Sequence, residues 1–304
     1  MIFITGAHGF LGHHLIRAAQ SRGFRTLTPT RSELDLCDRT AVQRFVEHHR
    51  PEAILHAAAT GGGIGWMKEH PETALLGNVL ATTHILEAAT DHKIPLVGVS
   101  SACVYPRVCP QPMREEDIYQ GEPEPTNGPY GHAKRLMLVQ GQAAFQERGL
   151  TCSFVVPTNL YGPHDHFSPT RSHIVAALLS RFLDATRQNI PVVTCWGTGT
   201  ATRDLLYAAD CAEAVLVALE RNPGPEPINL GTGVEHTTRD IAEACARTCG
   251  YRGRIDWDTS RPDGMPRKVL DTTRAMQKLG WSAKTSLEDG LRETLEWYLR
   301  DSHY

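Results

Sequence analysis

The sequence predicts an α/β fold, in which helices alternate with the strands of a doubly wound parallel sheet, joined to a smaller mixed α/β domain that binds substrate. Three observations predict it. The chain opens on a short β-branched and aromatic run, this run leads directly into a glycine-rich turn and a helical segment, and the alternation of strand and helix then recurs. A chain of 304 residues has the length of one large domain or two closely joined ones.

The composition narrows the class of protein. Hydrophobic residues make up 41% of the chain and charged residues 21%, which is ordinary for a soluble globular protein. A formal net charge of −3 gives no basic surface for nucleic acid, and no apolar run approaches the roughly 20 residues that span a bilayer. The start, MIFITG, predicts no signal peptide. The eight cysteines lack a metal-binding pattern and are expected to be reduced thiols of a cytoplasmic enzyme.

The first twelve residues predict a nucleotide-binding turn. MIFIT is typical of a buried parallel strand, and HHLIRAAQSRG has helical periodicity that ends at Gly23. Between them, GAHGFLG spaces its glycines so that backbone N–H groups and a helix N-terminus can approach a pyrophosphate. This context favours a Rossmann-type dinucleotide site over a plain turn. The candidate cofactor-binding residues of the turn are Gly6, His8, Gly9, Phe10, Leu11 and Gly12.

The segment around the second strand, FRTLTP, indicates which nicotinamide cofactor binds. Enzymes that select NAD usually end this strand on an acid that holds the ribose 2′-hydroxyl, whereas an arginine suits the 2′-phosphate of NADP. Residues 26–30 contain no acid and Arg31 follows at once, which favours NADP. NAD remains possible, since Arg31 could be a solvated arginine without a ligand. Asp35 and Leu36 come too late for that ribose and are expected near the adenine.

The alternation then continues. Residues 38–50 predict a helix, AILHAAA a strand, TGGGIG a loop, residues 71–92 a helix and LVGVSS a strand. Strand ends in such sheets point at the ligand crevice, so the residues that follow LVGVSS, from Ser100 to Tyr105, belong near the chemistry. Further cofactor-binding candidates in this region are Ala57, Ala58, Ala59 and Asn78.

The stretch PYGHAK contains a tyrosine and a lysine four residues apart. Tyr130 opens a helical stretch that stops at Gly149, and residues four apart share one helix face. The Lys134 ammonium would then stabilise a Tyr130 phenolate and bind a ribose hydroxyl of the cofactor. Such a pair also occurs by chance on helix surfaces. The glycine turn and the serine at a strand end, both upstream, favour a catalytic dyad.

Further stretches of the sequence narrow the choice of protein family. TGAHGFLG, SSACVYP, YGHAK, PTNLYGPHDHF, SHIVAALLSRF, WGTGTATRDLLY, INLGTG, PDGMPRK and LGW with TSLEDGLRET cover nearly the whole chain. Together they resemble the extended short-chain dehydrogenase/reductases and, within them, the GDP-L-fucose synthases. The resemblance implies an NADP-dependent homodimer that acts as a 3,5-epimerase/4-reductase on GDP-4-keto-6-deoxy-D-mannose or a close relative.

The resemblance also implies roles for single residues. Ser101, Tyr130 and Lys134 match the reductase triad of the family, and Cys103 and His173 match its epimerising cysteine and histidine. By the same resemblance the remaining cofactor-binding candidates are Pro157, Asn159, Leu160 and His173. The substrate-binding candidates are Ser101, Ala102, Cys103, Asn159, Ile174, Leu178, Arg181, Trp196, Arg203 and Lys268.

The chemistry explains these residue types. A 4-keto group acidifies the protons on C3 and C5, so removal of one gives an enolate, and reprotonation from the other face inverts the centre. This needs one group on each face that exchanges protons near neutral pH, which suits cysteine and histidine. Either could be the base; the resemblance assigns Cys103 as base and His173 as acid. Tyr130 and Ser101 supply donors to O4.

Some positions depart from the family pattern and leave alternatives open. GGIGWMKEHP replaces a short polar stretch near the sugar, His8 stands where relatives often carry an arginine, and Pro29 replaces a second cation. The sugar, and NADP against NAD, therefore stay open. An NAD(P)-dependent sugar-nucleotide epimerase without net reduction, on a hexose or a heptose, is the alternative. A non-catalytic nucleotide sensor is disfavoured because such proteins commonly lose the tyrosine or the lysine.

The motifs also predict the domain boundaries. Residues 1–157 and 207–231 are expected to form the dinucleotide-binding domain, and residues 158–206 and 232–304 the sugar-nucleotide domain. The substrate is expected between the two parts.

Overall fold

The computed structural model describes residues 1–168, 172–261 and 263–301. The elements, in chain order, are β1 (Ile2–Thr5), α1 (Phe10–Ser21), β2 (Thr26–Leu27), α2 (Arg39–His49), β3 (Ala53–His56), α3 (Ile64–Glu69), α4 (Pro71–Asp91), β4 (Leu96–Val99), α5 (Gly128–Arg148), β5 (Cys152–Pro157), β6 (Asn159–Tyr161), α6 (Ile174–Arg187), β7 (Val192–Trp196), β8 (Thr202–Arg203), β9 (Leu205–Tyr207), α7 (Ala208–Arg221), β10 (Pro227–Leu230), β11 (His236–Thr237), α8 (Thr238–Thr248), β12 (Arg254–Asp258), β13 (Arg267–Lys268), α9 (Thr273–Leu279) and α10 (Leu287–Asp301).

Six parallel strands form the main sheet, in the order β10-β5-β4-β3-β1-β2. Strand β1 pairs with β2 on one side and with β3 on the other, so the chain reverses its direction of winding at β1. The crevice at such a switch point, beyond the carboxyl ends of the strands, is where ligands bind in open α/β sheets. The predicted doubly wound parallel fold is confirmed; β10 adds a further parallel strand at one edge of the sheet.

Each face of the sheet is covered by its own hydrophobic core. One core packs the sheet against α1 and α7, with Leu15 and Val215 among its fully buried side chains. The other packs it against α2, α4 and α5, with Val46, Ile85 and Leu138. Because both faces are covered, the strands are mostly apolar, as IFI in β1 illustrates. The active-site candidates at the strand ends are therefore held on a rigid sheet.

The second part of the chain builds a smaller unit. It contains three short sheets, β12-β7, β11-β8-β13 and β6-β9, and a third core shared by α6, α8 and α10. The proposed division at residues 157, 206 and 231 remains a prediction, but one segment packs differently from that division. Ala275, Leu279 and Trp281, in and just after α9, are buried in the core of the main sheet beside α7, although they were assigned to the sugar-nucleotide part.

Two elements differ from the prediction. Helix α3 begins within the predicted loop TGGGIG. A Cβ on Gly62 would lie only 3.1 Å from Trp66 Cβ in this helix, so the bare glycine leaves room for the tryptophan beside the turn. The strand predicted over FRTLTP is only two residues long. It stops early because the Glu33 carboxylate accepts hydrogen bonds from both the backbone N–H and the hydroxyl of Thr30, which closes a turn. None of the described helices has the length and apolarity needed to cross a membrane.

Candidate active site

The glycine turn between β1 and α1 brings backbone very close to backbone. Gly6 has φ +69°, and a Cβ there would lie 2.7 Å from Ala58 Cα at the end of the neighbouring strand. A Cβ on Gly12 would lie 2.1 Å from the Gly6 carbonyl oxygen. Only glycine fits either position. The turn is closed by a hydrogen bond from Gly9 N–H to the Gly6 carbonyl, 3.0 Å long. Gly9, the N-cap residue of α1, is exposed, so a ligand can approach the start of the helix.

A cavity of about 240 Å³ opens beside this turn. Nine of the predicted cofactor-binding residues line it, namely Gly6, His8, Gly9, Arg31, Asp35, Leu36, Ala58, Ala59 and Asn78. The sequence analysis missed other lining residues, among them Cys37 and Thr60. Arg31 is exposed at its edge, and the His8 ring is tied to the Thr28 carbonyl by a 3.0 Å hydrogen bond. A cavity with glycine backbone at one end and an arginine at the other fits the adenosine and phosphate half of a dinucleotide.

A buried histidine supports the floor of this cavity. The Thr5 hydroxyl accepts from Ala58 N–H and lies 2.8 Å from His56 Nδ1, and His56 Nε2 lies 3.1 Å from the Thr82 hydroxyl. Both ring nitrogens of His56 therefore lie within hydrogen-bond distance of a threonine hydroxyl. Burial, with a smaller contribution from the nearby Lys134 charge, lowers the pKa of His56 to about 3. The network fixes Ala58 opposite Gly6.

The tyrosine and lysine of PYGHAK lie in the first turns of α5 and meet the residues after β4. Lys134 is only 2% exposed, its Nζ donates to the Val99 carbonyl over 3.0 Å and lies 5.8 Å from the centre of the Tyr130 ring. Ser101 caps the short 3₁₀ turn Ala102–Val104 by accepting from Cys103 N–H at 3.2 Å. The structure therefore brings Ser101, Cys103, Tyr130 and Lys134 together.

The surroundings of this cluster shift the pKa values of Tyr130 and Lys134. Burial raises the pKa of Tyr130, and the neighbouring Cys103 raises it further, while a hydrogen bond with Ser101 opposes both. Burial lowers the pKa of Lys134 to about 8, an effect that Cys103 opposes. In the absence of ligands, Tyr130 is therefore protonated at neutral pH and can donate its proton. Lys134 is mostly charged at neutral pH, but its pKa of about 8 is close enough for it to release a proton. Such a pair is suited to proton transfer.

His173 lies at the N-terminus of α6 and is paired with a buried carboxylate. Its Nδ1 is 3.0 Å from Asp165 Oδ1, which also accepts from His166 N–H. The hydrogen bond to Asp165 raises the pKa of His173 against the effect of burial. The imidazole ring is half exposed and its centre lies 6.4 Å from that of Phe10 in the first turn of α1. His173 therefore has one nitrogen held by Asp165 and the other left for a ligand near the glycine turn.

The substrate candidates of the smaller unit occupy separate elements. Arg203 on β8 and Lys268 on β13 are direct partners in the strand register. The Arg203 guanidinium is held by the carbonyls of Thr202, Asp263 and Met265. Trp196, at the end of β7, is 65% exposed, with the Arg261 guanidinium 5.2 Å from its ring. This exposed aromatic face and the neighbouring cations suit a nucleoside diphosphate.

The remaining substrate-binding candidates lie mainly on α6 and β6. On α6, the Arg181 guanidinium donates to the Thr194 carbonyl over 3.0 Å, and Leu178 is buried in the core with Ile174 packed against it. Leu178 is thus a packing residue in this structure. Asn159 on β6 donates to the Asp204 carbonyl. The other candidates lie at or near the ends of elements: Phe10 and Leu11 in the first turn of α1, Ala57 just after β3, Ala102 shortly after β4, Pro157 at the end of β5 and Leu160 in the short strand β6.

Two residues that the sequence analysis missed contact its catalytic candidates. Asp165 holds His173, and Asn127, just before α5, donates from Nδ2 to Cys103 Sγ over 3.2 Å. Asp165 lies within the quoted stretch PTNLYGPHDHF, so its place eight residues before a histidine was a usable signal. No comparable signal marked Asn127. Among the described residues, no cluster of histidine, cysteine and carboxylate side chains is placed to hold a metal ion.

The chain is similar to known proteins over nearly its full length. The model of the NAD dependent epimerase/dehydratase family matches residues 2–231. GDP-L-fucose synthase of Escherichia coli (strain K12) is 39% identical over 311 aligned positions, which cover 99% of this chain and 97% of that protein.

Solved structures are also similar to this chain over nearly its full length. A GDP-6-OMe-4-keto-L-xylo-heptose reductase from C. jejuni superposes with a TM-score of 0.90 at 25% identity, covering 99% of this chain and 98% of that one. A GDP-L-fucose synthetase from Naegleria fowleri bound to NADP superposes with a TM-score of 0.89 at 26% identity, covering 99% and 92%. The likeness therefore extends through both parts of the chain.

Proposed function

Because the chain belongs to the NAD dependent epimerase/dehydratase family and, within it, to the GDP-L-fucose synthases, we propose that it epimerises a GDP-linked 4-keto-6-deoxy-mannose at C3 and C5 and reduces it at C4. Its relatives establish the coarser function, an NADP-dependent epimerase/reductase of GDP-sugars. The observation that carries the finer proposal is the cluster of Cys103 with Tyr130 and Lys134, where an epimerising thiol adjoins a reductase dyad.

The residues around the glycine turn fit the cofactor. Gly6 and Gly9 supply the backbone cradle for the pyrophosphate, Asp35 lies where the adenosine is expected, and exposed Arg31 is placed to meet the 2′-phosphate. NADPH, when bound, supplies the hydride that reduces C4. The buried Lys134 ammonium is available to a ribose hydroxyl and keeps its charge below a pH of about 8.

Epimerisation uses two groups on different elements. The Cys103 thiolate takes the proton from the acidified carbon and becomes a thiol, while the electron pair moves to O4. His173, protonated and held by Asp165, gives a proton to the opposite face of the same carbon and becomes neutral. Before the second centre is inverted both groups must exchange protons with water, which the half-exposed ring of His173 permits.

Reduction uses the dyad on α5. Tyr130 gives its proton to O4 as C4 is reduced, and its raised pKa keeps that proton in place until then. Ser101 supplies a second donor to O4, which stabilises the enolate of the earlier steps in the same way. The phenolate that remains is stabilised by the Lys134 charge.

Replacing Arg31 by alanine is expected to weaken NADPH binding roughly 10- to 100-fold and to leave NADH binding almost unchanged. Only NADPH carries the 2′-phosphate, and a hydrogen bond to a charged group is worth about 1.5–3 kcal/mol. Titration of cofactor fluorescence without substrate measures both affinities. Arg25→Ala, an exposed arginine just before β2 and outside the cavity lining, is the matched control. Equal losses for both cofactors would show that Arg31 does not read the phosphate.

The experiment that tests the proposed function is incubation with a panel of nucleotide 4-keto sugars and NADPH, followed by NMR of the products. We expect a GDP-linked 6-deoxy sugar inverted at C3 and C5 and reduced at C4. Turnover without consumption of NADPH would favour the alternative, a sugar-nucleotide epimerase, and preference for a heptose would match the C. jejuni relative. The homodimer and the cytoplasmic location stay predictions.

A further inference from the structure

Asn127 makes a contact that its place in the fold does not require. It is the N-cap residue of α5, where an asparagine side chain ordinarily accepts a hydrogen bond from the first helical turn. Asn127 makes no such bond within the described part of the chain. Its side chain turns instead toward the 3₁₀ turn after β4, and Nδ2 donates to Cys103 Sγ over 3.2 Å. The capping function is given up for contact with the sulfur.

We propose that Asn127 is a positioning residue that stabilises the thiolate of Cys103 and fixes its direction for proton transfer. A thiolate is a far better hydrogen-bond acceptor than a thiol, so an N–H donor aimed at sulfur favours the ionised form. With the amide turned so that oxygen faced the sulfur, the side chain would favour the neutral thiol instead. The proposal rests on the proposed function only for the use to which the thiolate is put.

The backbone around Asn127 fixes the position of its side chain relative to that of Cys103. A Cβ on Gly131, one turn into α5, would lie 2.5 Å from the Cys103 carbonyl oxygen, so the helix packs directly on the backbone of that cysteine. Arg135, on the next turn, donates to the carbonyls of Val104 and Gly121 over 2.7 Å each. The distance from Asn127 to Cys103 is therefore set by main-chain packing, which is the condition for a positioning residue.

The other end of the amide is unsatisfied. Asn127 Oδ1 is buried and has no hydrogen-bond partner among the described residues. Leaving a buried acceptor unpaired is unfavourable, and such atoms in folded proteins need a compensating reason. Asp165 Oδ2, on the carboxylate that holds His173, is likewise buried without a partner in the described chain. Each candidate epimerising group is thus held by a side chain whose second polar atom is buried without a hydrogen-bond partner in the described chain.

The test measures the thiolate directly, without substrate. The rate at which iodoacetamide alkylates Cys103 is followed by mass spectrometry of its peptide from pH 6 to 10, in the wild type, Asn127→Ala and Asn127→Asp. The aspartate keeps the shape of the side chain but replaces the donor by an acceptor. Thr126→Ala, one residue earlier in the same 3₁₀ turn, is the matched control, and NADPH binding verifies that each variant is folded.

We expect Asn127→Ala to alkylate roughly 10-fold more slowly at pH 7, with the profile moved about one unit to higher pH, and Asn127→Asp to be slower still. Deuterium exchange at C3 and C5 should fall by a similar factor. Wild-type alkylation in both variants would overturn the proposal. Slower alkylation with unchanged exchange would uphold it while showing that Cys103 is not the epimerising base, so failure of the proposed function is distinguished from failure of this inference.

Discussion

Tyr130→Phe is expected to lower the rate of reduction at C4 roughly 10²–10⁴-fold, the usual contribution of a general acid. The variant keeps the aromatic ring but loses the hydroxyl whose pKa is raised by burial and by the neighbouring Cys103. Affinity for NADPH should change little, because Lys134 keeps its hydrogen bond to the Val99 carbonyl and its charge. The loss should therefore lie in kcat and leave cofactor binding intact.

Single-turnover oxidation of bound NADPH with the 4-keto sugar measures this step. Tyr119→Phe removes a hydroxyl from a half-exposed tyrosine in the loop before α5 and serves as the matched control. Deuterium exchange at C3 and C5 should survive in Tyr130→Phe, since Ser101 still offers a donor to O4. Near-normal turnover would show that the tyrosine and lysine of α5 are not the reductase dyad.

The sequence predicted the features that are local in the chain. The glycine turn follows from three glycines within seven residues, and the helical spacing of Tyr130 and Lys134 follows from one turn of α5. The cavity residues from Arg31 to Leu36 likewise follow a single strand end. In each case the residues are close together in the chain, so their types and spacing are enough to predict the local geometry.

Contacts between distant segments were not predictable in this way. Asn127 meets Cys103 across 24 residues, and its own neighbours indicate only a helix start. The pairing of Arg203 with Lys268 depends on a strand register that neither stretch specifies alone. The three glycines before α3 predict a loop, yet the small size of Gly62 is what leaves room for Trp66 in that helix. Tertiary packing, which local propensity does not encode, decided each of these.

Cys103→Ser is expected to abolish most exchange of deuterium into C3 and C5 while leaving some reduction of the unepimerised ketone. The serine keeps the size of the side chain, but its hydroxyl is far harder to ionise than a thiol, whose ordinary pKa is about 8.5. Exchange needs no hydride, so it can be followed by NMR in D₂O with the 4-keto sugar nucleotide and oxidised cofactor or none. With NADPH present the product should shift toward the uninverted sugar.

The matched variants locate the defect in that step. Cys109→Ser, six residues along the chain in the surface loop, should exchange deuterium at the wild-type rate. His173→Gln loses the imidazole that Asp165 holds, so reprotonation should suffer more than deprotonation, giving slow inversion or inversion at one centre. Wild-type exchange in Cys103→Ser would contradict the bifunctional mechanism. A plain ketoreductase or a 4-epimerase would then be favoured, because both need Tyr130 and Lys134 but neither needs a base at C3 and C5.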